Sequence, residues 1–290
     1  MTQQQATLKD KVTLAGIGLH SGQTVTLELT PNDSNTGIVF CRSDLPGCPR
    51  IVANPFHVEK TPLCTRLVSS ADSQNYVMTI EHLMSALCAF GIDNVLITID
   101  GPEVPVIDGS AKPFCDALSN VGLKTQQACR RVIEVLKPVR VEHDGKVVTV
   151  HPVEQSQTSY AFEIYWDHPV IANTPSQISW ELDYDGFIKE IAPARTFGFI
   201  DQIEALQSQG LALGASLNNA IGITDGGIKN AEGLRFKDEF VRHKLLDAIG
   251  DFYVAGPILG HFDCYCSGHS LNNALLRTLL SDETAWQIKQ

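Results

Sequence analysis

The order of apolar patterns along the 290 residues constrains the fold most, because in each half strand patterns come first and helical patterns follow. Gln23 to Thr30, QTVTLELT, alternates apolar and polar residues with the two-residue period of a half-buried strand, and Pro31-Asn32-Asp33 ends it. TIEHLMSALCAF, 79 to 90, sets Ile80, Leu83, Met84 and Leu87 at helical spacing, with Thr79 placed as the N-cap and Gly91 as the stop. NVLITID, 94 to 100, returns to strand, and residues 111 to 122 form a short amphipathic helix that stops at Gly122. Around Ala128 to Arg131 the chain leaves that helix through a polar stretch, and strands resume in VIEVLKPVRVE and KVVTVHP, running on to about Trp180. Helices over Ile200 to Gln209, Phe240 to Tyr253 and about Leu271 to Leu280 complete the second half. Strands gathered ahead of helices argue for the α+β class rather than alternating βαβ units. We expect two α+β domains, 1–128 and 129–290. There is no short-period repeat or low-complexity tract, and the repeated order leaves open that the halves are distant copies.

Composition narrows the partners. At 43% hydrophobic and 19% charged residues the chain can bury one large core or two packed ones. A net charge of −11 opposes non-specific attachment to DNA, RNA or an anionic membrane, so no nucleic-acid role is expected, and an anionic substrate must meet local Lys or Arg in a pocket. The eight cysteines contain no CxxC pair, which argues against a thiolate zinc site or a redox motif. Residues 1 to 13 are polar, with no apolar signal-peptide core, and no run approaches the roughly eighteen apolar residues of a membrane span. The expectation is a cytoplasmic protein with reduced, mostly buried cysteines and no integral membrane segment. The sequence identifies no partner protein.

Three segments carry candidate chemistry. In FVRHKLLDAIGDF, His243 and Asp247 leave one helix face a turn apart, a spacing that lets a nitrogen and a carboxylate oxygen reach the same ion. Alone, such a pair is more often an exposed helix-stabilising contact. His82 supplies a third ligand from the first turn of another helix, although the HExxH spacing of metalloproteases is absent. Two His and a carboxylate with an open fourth position form a catalytic rather than a structural zinc set. Glu81 beside it suits a base for the hydrolytic water, or else a charge favoured by the helix N-terminus. His269, in CSGHSLNN, reads as a loop histidine able to act as general acid, with Asp251 orienting it and Ser267 or Ser270 as alternative helix caps. Thr196 in ARTFGF offers a hydroxyl to a developing oxyanion, while Phe197 and Phe199 would ordinarily be core.

Together, GIGLHSG (16–22), TIEHL (79–83), EVPVIDGSAKPF (103–114), ARTFGF (194–199), LRFKDEFVRHKLLDAIGD (234–251) and SGHSLNN (267–273) resemble, in order, the UDP-3-O-acyl-N-acetylglucosamine deacetylases of lipid A synthesis. The resemblance implies a two-domain β-α-α-β sandwich with the active site between the layers and one zinc ion held by His82, His243 and Asp247. It implies Glu81 as general base, His269 as charged general acid supported by Asp251, Thr196 at the oxyanion and Lys244 at the substrate. Further substrate contacts implied are Leu63, Cys64, Lys146, Trp166, Phe197 and Ser216, with an acyl-passage insert at about 197–223 that could equally be a packed helix-loop. The substrate would be a UDP-linked acylated amino sugar losing its N-acetyl group as acetate. Cys266 departs from the family's common Lys, Trp166 from its common Phe, and Gly214-Ala215 from its common Gly-Gly. Competing readings are the same chemistry on another acylated amino sugar, and a non-catalytic nucleotide-sugar-binding module. Ferrous iron is an alternative to zinc for a His₂Asp set.

Overall fold

The computed structural model describes residues 4–61, 63–154 and 157–290. Two five-stranded sheets dominate. One runs Val12–Ile17, Thr24–Pro31, Val95–Ile99, Ile38–Arg42, Arg50–Val52. The other runs Val139–His143, Lys146–His151, His261–Tyr265, Ser159–Glu163, Gln177–Glu181. Neighbour by neighbour, both sheets pair antiparallel, antiparallel, parallel, antiparallel. Chain order matches as well: four strands, then a helix, the central strand and a second helix. The fold is α+β, and the two halves are topological copies.

Seven α-helical segments stand among the described residues: α1 Glu81–Ala89, α2 Lys112–Val121, α3 Pro169–Ala172, α4 Tyr184–Gly186, α5 Ile200–Ser208, α6 Glu239–Tyr253 and α7 His269–Ser281. The strand Thr24–Pro31 buries Val25, Leu27 and Leu29 on one face, as its alternation requires. α1 and α6 occupy equivalent places in the two halves and pack on each other more extensively than any other helix pair. That pairing closes one apolar core drawn from both halves, which is why α1 is buried from Glu81 through Leu87.

Several sequence expectations are corrected. Thr79 is not the N-cap of α1: Ile80 holds that position with no side-chain cap. Thr79 instead has φ 56°, the left-handed region that a β-branched residue rarely enters, and its buried hydroxyl donates to Glu103 at 2.8 Å. Neither Ser267 nor Ser270 caps α7, whose N-cap is Gly268. The polar stretch before Arg131 is itself a strand, Leu123–Cys129, antiparallel to Gln4–Leu8. Its residues are mostly exposed, so no apolar alternation announces it. Parallel pairs connected through helices depart from a strictly segregated order: besides the one in each large sheet, Phe197–Phe199 pairs parallel to Ile221–Thr224 across α5.

Gly250 sets the spacing of the two central helices. A Cβ there would overlap the carbonyl oxygen of Glu81 and lie 3.0 Å from its Cα, against backbone that has no rotamer with which to yield. Gly250→Ala is therefore expected to lower unfolding stability by at least about 1–3 kcal/mol, the usual cost of overpacking, and to displace Glu81. A melting temperature equal to the parent's would contradict this packing.

Candidate active site

His82 lies in the first turn of α1, while His243 and Asp247 lie one turn apart on α6. Packing of the helices brings the three together: Asp247 Oδ1 is 3.4 Å from His82 Nε2 and 3.4 Å from His243 Nε2. The two imidazoles meet edge to face, 5.0 Å apart at 80°. His243 Nδ1 is 3.0 Å from the Ala194 carbonyl, which places a proton on Nδ1 and leaves the Nε2 lone pair free. Burial pushes the His243 imidazole down to about 3, so it is neutral and able to ligate. Burial opposes ionisation of Asp247, yet its charged and hydrogen-bonding neighbours outweigh burial, Lys244 among them with Nζ 2.8 Å from Oδ2, and hold its carboxyl well below the ordinary range.

A metal-ligand set fits these atoms. Asp247 Oδ1 is buried with no hydrogen-bond partner among the described residues, an arrangement that costs free energy unless something else occupies its lone pairs. Tetrahedral coordination with bonds of about 2.0–2.1 Å separates ligand atoms by about 3.3–3.4 Å, which matches the 3.4 Å from Asp247 Oδ1 to each imidazole nitrogen. His82, His243 and Asp247 can together hold a metal ion.

Two further groups face the same point. Glu81 is 3% exposed, and burial raises its pKa against the opposing pull of His269 and His82. His269 is the first residue of α7 rather than a loop histidine, and its Nδ1 lies 3.0 and 3.2 Å from the two Asp251 oxygens. Its Nε2 is 3.9 Å from Glu81 Oε1. Burial disfavours the charged ring, but Asp251 and Glu81 outweigh it and raise the pKa to about 9, so the imidazolium persists at neutral pH. Asp251 also accepts from Thr65 Oγ1 at 2.5 Å and from Asn272 Nδ2 at 2.8 Å.

Residues 5–281 match the family description UDP-3-O-acyl N-acetylglycosamine deacetylase. A protein of Francisella tularensis subsp. tularensis (strain SCHU S4 / Schu 4) named UDP-3-O-acyl-N-acetylglucosamine deacetylase is 49% identical over 284 residues, covering 98% of this chain and 99% of the relative. One of the same name from Vibrio vulnificus (strain YJ016) is 47% identical over 285 residues, covering 98% of this chain and 92% of the relative. The chain belongs to this deacetylase family. It is an enzyme, and its His-His-Asp cluster is where the structure offers a metal a place.

In this family member the cluster floors a cavity of about 450 Å³. Of the residues singled out in the sequence, Leu63, Glu81, His82, Lys146, Trp166, Thr196, Phe197, His243, Lys244, Asp247 and His269 line it. Cys64 and Ser216 do not: Cys64 is buried, and Ser216 heads the turn whose carbonyl accepts from Ala220 at 3.0 Å. Asp251 stands behind His269. The stretch 197–223 supplies one wall through Phe199, Gln202, Ile203, Leu206, Ala212, Ala215 and Ala220, so α5 is at once a packed helix and a cavity wall. Cys266 is at the same wall as Lys146 and Trp166, with φ 50°. A cavity of about 310 Å³ behind α6 contains none of this chemistry.

Sequence reasoning missed His20, Thr65 and Glu103. His20 lines the cavity, 6% exposed, with neither ring nitrogen hydrogen-bonded among the described residues, and burial lowers its pKa despite Glu103. Fully buried Glu103 accepts from the backbone of His20 at 2.9 Å and of Ser21 at 2.7 Å. Their signal was the histidine inside GIGLHSG and the carboxylate opening EVPVIDG, which spacing alone could not pair.

The raised His269 pKa has a consequence for stability. Its folded value, about 9, exceeds the ordinary 6.5, so its contribution is full below pH 6.5 and is lost as pH rises through 9. Denaturant titrations of metal-free protein are expected to show a stability loss across that window that His269→Gln removes. An identical pH slope in parent and variant would contradict the charged imidazole.

Proposed function

We propose that the chain is a zinc-dependent amidohydrolase that removes the N-acetyl group of UDP-3-O-(3-hydroxyacyl)-N-acetylglucosamine, releasing acetate, in the committed step of lipid A synthesis. The observation that carries this reading is the unpartnered Asp247 Oδ1 set 3.4 Å from two imidazole nitrogens, beside one buried carboxylate and one imidazolium. When bound by His82, His243 and Asp247, zinc supplies Lewis-acid polarisation and lowers the pKa of water. Ferrous iron suits the same donors.

Glu81, made more basic by burial, takes the proton of the attacking water. His269, kept protonated by Asp251, delivers a proton from Nε2 to the departing amine. Thr196 and Lys244 line the cavity where charge develops on the acetamide oxygen, and donors there favour the transition state over the ground state. The apolar wall from α5 through Ala220 takes the acyl chain, Trp166 offers an aromatic face to the uracil, and Lys146 meets the diphosphate. With Cys266 where a second cation is common in the family, the nucleotide's negative charge falls mainly on Lys146. That substitution also favours the second reading, the same chemistry on another acylated amino sugar. We place the domain boundary at 128/129. Among the described residues no helix is long and apolar enough to cross a membrane, and we propose a cytoplasmic location.

Acetate release from the UDP-linked substrate by zinc-loaded protein tests the assignment, and no turnover would overturn it in favour of the second substrate class. Glu81→Gln is expected to keep its zinc and lose about 10²–10⁴-fold in kcat. His82→Ala is expected to lose the metal itself, and a full equivalent of zinc in that variant would refute the ligand set.

A further inference from the structure

Thr65 is 3% exposed and lies in no role assigned above, yet its three polar groups all reach the catalytic machinery. Its N–H donates to Glu81 Oε2 at 3.0 Å, its hydroxyl donates to Asp251 Oδ1 at 2.5 Å, and its carbonyl accepts from the Ile80 N–H, at the N-cap of α1, at 3.5 Å. Glu81 belongs to the first half and Asp251 to the second. One residue therefore spans both helices and touches both the carboxylate read as the base and the carboxylate that holds the acid.

We propose that Thr65 is a positioning residue that fixes the base and the acid of this site relative to each other. The inference rests on the acid–base roles assigned to Glu81 and His269. Asp251 can turn about its χ angles unless its oxygens are held. Asn272 Nδ2 and His269 Nδ1 secure Oδ2, whereas Oδ1 depends on the Thr65 hydroxyl, because its only other partner among the described residues is the longer 3.2 Å contact to the same His269 nitrogen. Without the hydroxyl, Asp251 and the His269 ring share a freer rotation, and Nε2 leaves the line to the departing amine. The amide link to Glu81 does not involve the Thr65 side chain and is kept in the valine, serine and alanine variants, so the two connections can be separated. Misorientation of a reacting group reduces turnover more than it reduces substrate binding.

The test measures kcat, KM and metal content for Thr65→Val, Thr65→Ser, Glu81→Gln and Asp251→Asn. Thr65→Val is expected to lower kcat about 10- to 100-fold, as losing a partner behind a catalytic group does, with KM and zinc content near the parent's. Thr65→Ser, which keeps the hydroxyl, is expected to restore most of that loss. In the Asp251→Asn background Thr65→Val is expected to add little, since it acts through Asp251. Thr65→Ala replaces Thr65→Val if the valine variant misfolds. A Thr65→Val or Thr65→Ala enzyme with kcat within twofold of the parent overturns the inference while Glu81→Gln remains inactive. An active Glu81→Gln instead overturns the underlying acid–base assignment. Loss confined to KM or metal content also contradicts the positioning role.

Discussion

The contact on which the site depends is the backbone approach of α6 to α1 at Gly250 and Glu81. Those two helices carry Glu81 and His82 on one side and His243, Lys244, Asp247 and Asp251 on the other, so their separation sets every distance between the two groups. Only glycine at 250 permits the approach, since any side chain would meet the Glu81 carbonyl. Buried charge then accumulates where the helices meet. The carboxylates Glu81, Asp247 and Asp251 face the cations of Lys244 and His269, and burying such groups is costly unless each is paired. A metal ion held at Asp247 Oδ1 would complete that pairing.

The duplicated topology explains how two helices from distant sequence come to share one centre. In each half the helix before the central strand lies at the same place, so α1 and α6 oppose each other across the junction. The residues they present differ. α1 offers Glu81 and His82 from its first turn, whose N–H groups have no partner within the helix, whereas α6 offers its ligands from mid-helix, where backbone groups are already satisfied. Strained backbone lies just ahead of two of the site's helices, at Thr79 before α1 and Cys266 before α7, both with positive φ. Left-handed non-glycine residues of this kind persist where surrounding contacts impose them, and Thr79 is held by Glu103.

Much of this was legible in the sequence because long periodic segments report themselves. The spacing in FVRHKLLDAIGDF defined α6 and the face shared by His243 and Asp247, and TIEHLMSALCAF defined α1. What escaped had a physical reason. The central strand His261–Tyr265 is five residues with only Phe262 and Cys264 buried, too short for its alternation to stand out. Leu123–Cys129 is held by pairing and by polar contacts such as Gln126 to the Asn32 carbonyl at 2.9 Å, without an apolar face. Glu103, His20 and Thr65 depend on contacts between segments far apart in sequence, which no local pattern encodes. The placement of His269 in a loop failed because α7 begins with the histidine itself, two residues before its apolar periodicity starts.

We propose that one ion bridges α1 and α6 through two imidazole nitrogens and one carboxylate oxygen. X-ray absorption and anomalous diffraction on the zinc-loaded protein test it together. The expected result is a single ion bound to His82 Nε2, His243 Nε2 and Asp247 Oδ1 at about 2.0–2.2 Å, with Glu81 outside the ligand shell. An ion ligated by Glu81, or one bound away from the α1–α6 junction, would contradict it.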